Sequence, residues 1–264
     1  MENNRKTVLV TGASSGMGKE FALIFAEKGY DLILTARSTE KLEASAAEIR
    51  TKYGSEVSVI PADLTEKGAS AKLYENVGER GLSVDVLINN AGFGDYGYFT
   101  VCDPEKLTSM IDLNCRALTE AAHYFGRDMM TRGNGKILNI ASIAAFQPGP
   151  YMAVYFATKA YVLSLSVALN EEMKSHGVSV TALCPCPVRT GFEEAANLKT
   201  STLFKKMKVE NAHDMASAGY RALMKGKAVA TYGIQSKAVN FASHIATRSF
   251  LAKVAARING RPES

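Results

Sequence analysis

The chain has 264 residues, 47% of them hydrophobic and 22% charged, which is ordinary for a globular protein with a sizeable core. Its net charge of +5 suits a small anionic ligand but is too small to argue for nucleic acid. The polar start, Met1–Lys6, runs straight into a β-branched segment and does not read as a signal peptide, and no run approaches the ~18 apolar residues of a membrane span. Cys102, Cys115, Cys184 and Cys186 lack the look of a disulfide framework, so a soluble, cytoplasmic protein is expected.

Residues 7–11 (T-V-L-V-T) read as a first strand, followed by Gly12-Ala-Ser14-Ser15-Gly16-Met17-Gly18 and an amphipathic helix over 19–29. A glycine turn between strand and helix lets backbone approach a ligand, and the helix N-terminus then favours a phosphate. The spacing, G-x-x-x-G-x-G, differs from the standard dinucleotide fingerprint, and a plain turn is the competing reading. A second strand, 31–36, ends at Ala36-Arg37-Ser38 with no carboxylate before Glu40. An acid there would bind a ribose 2′-hydroxyl, whereas an arginine accommodates a 2′-phosphate, so Arg37 points to NADP(H) over NAD(H), with Ser38 adding a hydrogen bond. The alternative is a solvated loop arginine.

A helix over 39–53, with Thr39 as N-cap, and a strand over 56–61 follow. Asp63 then either accepts from an adenine amino group or caps the next helix, 66–80. Residues 85–89 form a strand that ends in Asn89-Asn90-Ala91-Gly92, small and amide residues suited to the ligand edge of a parallel sheet. Residues 93–99, rich in glycine and aromatics, form a candidate pocket wall. The long helix expected over 106–130 contains Asn114, a poor helix former that is either tolerated or used.

The strand at 137–140 leads to Ser142, a Gly/Pro loop at 147–150, and a helix from about 152 to 174. On that helix Tyr155 and Lys159 are four apart and share one face, so a hydroxyl, a phenol and an ammonium converge. The Tyr-x-x-x-Lys pair is weak alone and gains weight from the phosphate-binding turn upstream. After the strand at 178–184 comes Pro185-Cys186-Pro187-Val188-Arg189-Thr190; the cysteines here and the four histidines show no metal-ligand spacing. Residues 191–225 open with a lysine-rich segment (Lys199, Lys205, Lys206, Lys208) that reads as a substrate flap over the site, followed by a helix over 211–225 and a strand over 228–231. Residues 236–258 read as one basic amphipathic helix that packs on its own domain or a partner subunit, with membrane contact as the lesser alternative. The β-α alternation predicts an α/β fold with a doubly wound parallel sheet.

Taken together, T-G-A-S-S-G-M-G at 11–18, N-N-A-G at 89–92, Ser142, and Y-F-A-T-K at 155–159 resemble the short-chain dehydrogenase/reductases. That resemblance implies a single Rossmann-fold domain with a seven-stranded sheet, assembled as a homodimer or homotetramer through the helices near 106–130 and 152–174. It implies a catalytic set of Asn114, Ser142, Tyr155 and Lys159. The implied cofactor contacts are Gly12, Ser14, Ser15, Gly16, Met17, Gly18, Arg37, Ser38, Asp63, Leu64, Asn90, Ala91, Gly92, Tyr155, Lys159, Pro185, Val188 and Thr190. Cys186 departs from the glycine the family commonly has after that strand.

The expected chemistry is hydride transfer between NADP(H) and a carbonyl or secondary alcohol. Tyr155 exchanges the proton, and a nearby Lys159 ammonium is expected to favour the phenolate. Ser142 orients the substrate oxygen, Lys159 also holds the nicotinamide ribose, and Asn114 by family analogy positions a relay water. The leading substrate class is a lipophilic ketone or hydroxysteroid-like alcohol, with a β-ketoacyl thioester as alternative and a non-catalytic NADP(H) sensor as a minor one.

Overall fold

The computed structural model describes residues 5–188, 191–198 and 201–262. Each short apolar run becomes a parallel strand: β1 Thr7–Thr11, β2 Asp31–Thr35, β3 Val57–Val59, β4 Val86–Asn89, β5 Gly135–Ile140, β6 Val178–Cys184 and β7 Val229–Thr231. The strands lie in the order β3-β2-β1-β4-β5-β6-β7. The chain winds outward from β1 to β3, then returns to place β4 on the other side of β1. The crevice at that reversal, beyond the carboxyl ends Thr11 and Asn89, is where such sheets take ligands.

Helices cover both faces of the sheet. On one face, Val8, Val10, Leu32 and Leu34 pack with Phe21 and Phe25 of α1 (Gly16–Glu27), Leu42 and Ile49 of α2 (Thr39–Tyr53), and Met215 and Leu223 of α9 (Ala212–Met224). On the other, Leu9, Ile33, Leu87 and Ile137 pack with Leu73 and Val77 of α3 (Ala69–Glu79) and with Phe125 and Met129 of α5 (Leu118–Arg132). Both faces of each central strand are therefore buried, which is why the strands read as continuous apolar runs.

The helix α6 (Ala153–Met173) packs on β6. With the 3-10 turn that follows, residues 153–176 are long and apolar enough to cross a membrane by length and composition, with mean hydropathy 1.2. The sequence expectation of no such run is thus corrected; the helix buries Val162 and Met173 against the sheet and Phe156 against Tyr96, Met152 and Leu198. A buried polar chain fixes its seating. Asn89 Nδ2 donates to Asn139 Oδ1 (2.9 Å), Asn139 Nδ2 donates to Ser166 Oγ (2.9 Å), and Ser166 Oγ donates to the Val162 carbonyl (2.6 Å).

Several boundaries differ from the sequence reading. The long helix starts at Pro104 as α4 (Pro104–Ile111) and ends at Arg132, but Asp112–Ala117 is a π-helical turn. Asn114 sits inside it, with its carboxamide turned onto the backbone of Phe93. Ser38, rather than Thr39, caps α2, its hydroxyl accepting from Lys41 N (3.4 Å). Helix α3 begins only at Ala69, so Asp63 does not cap it; Asp63 closes a turn onto Thr65 N (3.0 Å) and Thr65 Oγ1 (2.7 Å).

The segment expected as a lysine-rich flap contains two single-turn helices, α7 (Phe192–Ala195) and α8 (Leu203–Lys206). Its Ala196 and Leu198 are buried against Tyr96, Met152 and Phe156; Lys199 lies outside the described residues. The single basic helix expected at 236–258 is two, α10 (Gly233–Ile245) and α11 (Arg248–Asn259). Thr247 makes the break, its hydroxyl accepting from Phe250 N (3.3 Å) as an N-cap.

Candidate active site

The turn after β1 is built by three segments that hold one another. Thr11 Oγ1 accepts from Asn90 N and Ala91 N, both at 3.0 Å, and Asn90 Nδ2 donates to the Thr11 carbonyl (2.9 Å) and the Gly12 carbonyl (3.2 Å). Asn90 therefore shapes the glycine turn with its side-chain Nδ2. Gly12 has φ +67°, and a Cβ there would lie 2.9 Å from Asn90 Nδ2. A Cβ on Gly18 would collide with the Gly12 carbonyl oxygen. Ser15 stands at the N-cap of α1 but makes no side-chain cap bond, leaving the first-turn N–H groups facing the crevice. That is the arrangement a pyrophosphate takes.

At the end of β2, Arg37 is exposed and close enough to Asp63 to act on its charge. Burial works to raise the Asp63 carboxyl, but the Thr65 hydrogen bonds and the Arg37 guanidinium hold it below the ordinary carboxylate value. Leu64 is buried in the core beside α3, so only its backbone is left for a ligand. Gly92 lies at the centre of the site: a Cβ there would sit 2.8 Å from Asn114 Oδ1 and 3.5 Å from Lys159 Nζ.

Asn114 is 1% exposed and bonded on every side. Its Oδ1 accepts from Phe93 N (3.1 Å), and its Nδ2 donates to the Phe93 carbonyl (2.9 Å) and to Thr158 Oγ1 (3.1 Å). Thr158 Oγ1 in turn donates to the Tyr155 carbonyl (2.8 Å). The π turn thus ties the 93–99 loop to the helix that carries Tyr155, as π turns often do at functional sites. Thr158, unmarked in the sequence reading, is the connecting residue.

Ser142 leaves β5 with extended backbone and accepts from Ala144 N (3.1 Å). Tyr155 and Lys159 come from the first turns of α6, and Lys159 Nζ lies 5.7 Å from the Tyr155 ring centroid and donates to the Ile140 carbonyl at 2.7 Å. Burial pushes the Tyr155 phenol up to about 12, and a hydrogen bond with Ser142 works against that rise. The expectation that Lys159 would lower the phenol is therefore corrected: in this enclosed site desolvation outweighs the ammonium, which is spent on Ile140. At neutral pH the phenol carries its proton and is poised to give it away.

Lys159 itself is pulled down by burial to about 8 from its ordinary 10.5, with Cys115 and Cys184 opposing the shift. Between those values the unfolded chain holds the proton and the folded chain does not, so stability rises with pH across that window. Tyr155 acts the other way above pH 10, where the folded chain keeps its proton longer. The urea midpoint of the wild type should therefore gain on that of Lys159→Met between about pH 7.5 and about pH 9.5. Parallel pH profiles for the two proteins would contradict a buried, destabilised ammonium.

Above Tyr155 lies a cavity of about 150 Å3 with largely apolar walls. Met17, Pro185 and Val188 line one part of it, and Met152, Phe156 and Phe192 another, with Phe192 stacked at a tilt on Tyr155 (centroids 5.4 Å apart). Cys186 turns its side chain into the core beside Val188 and also lines this cavity, so the departure from glycine is absorbed by packing. Thr190 lies outside the described residues. The sequence reading missed the far wall, made by Val239 of α10 and Ala255, Ile258 and Asn259 of α11. The only signal there was Asn259, a polar residue 1% exposed on an otherwise apolar face. It donates to the Pro150 carbonyl (2.9 Å), while its own carbonyl accepts from Ser201 Oγ (2.7 Å) and Thr202 N (3.1 Å). Tyr151, next to that loop, has φ +67°, a conformation that bulky residues keep only where their surroundings enforce it.

The family model for short chain dehydrogenases matches residues 6–201. A very-long-chain 3-oxoacyl-CoA reductase of Pyrenophora tritici-repentis is 36% identical over 199 residues, 74% of this chain and 58% of that protein. The human 17-beta-hydroxysteroid dehydrogenase type 3 is 34% identical over 199 residues, 74% of this chain and 63% of that protein. The chain thus spans less than two thirds of the length of these curated relatives. A solved short-chain dehydrogenase from Sphingobium yanoikuyae in complex with NADPH superposes with a TM-score of 0.82 at 33% identity, covering 90% of this chain and 94% of that one. A family match over most of the chain means that the chain belongs to the short-chain dehydrogenase family.

Proposed function

We propose that the chain is an NADP(H)-dependent oxidoreductase that reduces the carbonyl of a lipophilic ketone to a secondary alcohol. The observation that carries this is the Tyr155 phenol in hydrogen-bond contact with Ser142, with Lys159 beside its ring, at the floor of an apolar cavity. The residues fit the cofactor: a Cβ-intolerant glycine turn at an uncapped helix end, and Arg37 at the ribose position of β2. Bound NADPH supplies the hydride. Ser142 and Tyr155 hold the substrate oxygen, and Tyr155 gives it the proton as negative charge develops there. Lys159, the Tyr155 neighbour whose Nζ also faces Gly92, holds the ribose side. Asn114 fixes the place on the Lys159 side from which a relay to solvent returns the proton.

Met152, Phe156, Phe192, Met207 and Ile258 give the substrate an apolar seat, which favours a bulky hydrophobic ketone. The relatives named for 3-oxoacyl-CoA reduction favour a thioester as the second reading. Residues 191–208 act in either case as the cover over the substrate. Assembly as a homodimer through α4–α6 fits the exposed Ile111, Tyr161 and Val167 on those helices.

Absorbance at the NADPH band, followed across a panel of free ketones and their thioesters, tests the proposal; absence of turnover with tight NADPH binding would favour a sensor. For the cofactor, Arg37→Asp should weaken NADPH binding by about 10–100-fold, the worth of a charged hydrogen bond, while sparing NADH. An unchanged NADPH to NADH ratio would remove Arg37 from 2′-phosphate recognition.

A further inference from the structure

The charge of this protein is gathered in one place. Residues 233–262 contain Lys237, Arg248, Lys253, Arg257 and Arg261 and no Asp or Glu, so the net charge of +5 resides entirely there. On α10, Ile234, Phe241 and Ile245 recur at helical spacing along one side and are 87%, 67% and 73% exposed. Lys237 and His244 are exposed beside them. On α11 the outer face continues with Phe250, 59% exposed, and with Lys253 and Arg257 three and seven residues on. The inner faces of the same two helices are the far wall of the cavity, through Val239, Ala255, Ile258 and Asn259.

We propose that the outer face of α10–α11 docks on an anionic lipid bilayer, placing the substrate pocket against the membrane. An apolar ridge flanked by unopposed cations is what a helix needs to lie in a headgroup layer, apolar side chains inserted and cations at the phosphates. A second copy is a poor occupant, because it would bring the same cations to the interface with no acid to meet them. Exposed ridges of this kind are uncommon on monomers unless something covers them. The placement also suits a lipophilic substrate, which would pass from bilayer to pocket along helices that touch both. The docking surface does not depend on the catalytic proposal, since binding is read without turnover.

The test is flotation of the full chain with vesicles of phosphatidylcholine alone and with about 30% phosphatidylserine added. Binding should be at least ~10-fold greater on the anionic vesicles and should fall in about 0.5 M salt, where the Debye length shrinks to a few ångströms. The double variant Phe241→Glu/Ile245→Glu should lose at least ~10-fold in binding, and Lys253→Gln/Arg257→Gln a smaller part, both with unchanged thermal melting and unchanged reduction of a water-soluble ketone. No flotation at low salt, equal flotation on neutral vesicles, or full binding by the double variant would each overturn the proposal. So would a wild-type dimer that the double variant converts to monomer without loss of vesicle binding, which would make this face an interface between copies.

Discussion

Tyr155→Phe should lower kcat/KM for NADPH-dependent ketone reduction by about 10^2 to 10^4-fold, the usual worth of a positioned proton donor. The ring keeps its stacking against Phe192 and its place over Lys159, so the loss isolates the hydroxyl. NADPH affinity, read by fluorescence titration, should stay nearly unchanged, because the glycine turn and Arg37 are untouched. The pH profile offers a sharper check. With the phenol pushed up to about 12 and the Lys159 ammonium pulled down to about 8 by burial, any change in rate near pH 8 should follow Lys159 and disappear in Lys159→Met, while Tyr155 keeps its proton through that range. Turnover by the Phe variant within a few-fold of wild type would rule out Tyr155 as the donor.

Gly18→Ala should damage the cofactor crevice out of proportion to a single methyl group. Its Cβ would meet the Gly12 carbonyl oxygen head-on and lie 2.6 Å from Asn90 Nδ2. Neither neighbour can yield alone. The Gly12 carbonyl and the Thr11 carbonyl are both bonded to Asn90, and Asn90 N is bonded to Thr11. The strain should cost about 1–3 kcal/mol in stability, visible as a Tm lower by ~3–10 °C for a chain of this size. More telling, NADPH should no longer raise the Tm, because the N–H groups of the turn would be displaced from the crevice. A variant that melts like the wild type and is still stabilised by NADPH would show that the turn tolerates the methyl.

The sheet and its winding were legible because β1, β2, β4, β5 and β6 are buried on both faces and each therefore carries a mostly apolar run. The Ser142–Tyr155–Lys159 set was legible because helical spacing alone puts Tyr155 and Lys159 on one side. The protonation of Tyr155 was not, since it depends on how completely distant residues such as Phe192 enclose it. The π turn at 112–117 left only the faint trace of an Asn inside a helix; the partner that holds Asn114 is the Phe93 backbone, 21 residues away in sequence. The break at Thr247 was hidden because the apolar pattern continues across it, while the N-cap that makes it is a single hydroxyl. The wall formed by α11 was illegible for a plainer reason: nothing local marks a helix as reaching across to residue 150.

That last contact has a consequence in time. All the residues assigned to the dinucleotide crevice and to proton transfer that the structure describes precede residue 189, whereas the substrate cavity is closed by residues 255–259. A chain emerging from the ribosome therefore completes the sheet and helices that frame its cofactor crevice, through β7 at Thr231, before it completes the seat for substrate at residues 255–259, and synthesis proceeds from the N-terminus with early parts free to fold first. A chain of which residues 1–240 have emerged should already retain NADPH yet leave Tyr155 open to water. Maturation of this protein is then ordered: nucleotide first, exclusion of solvent last.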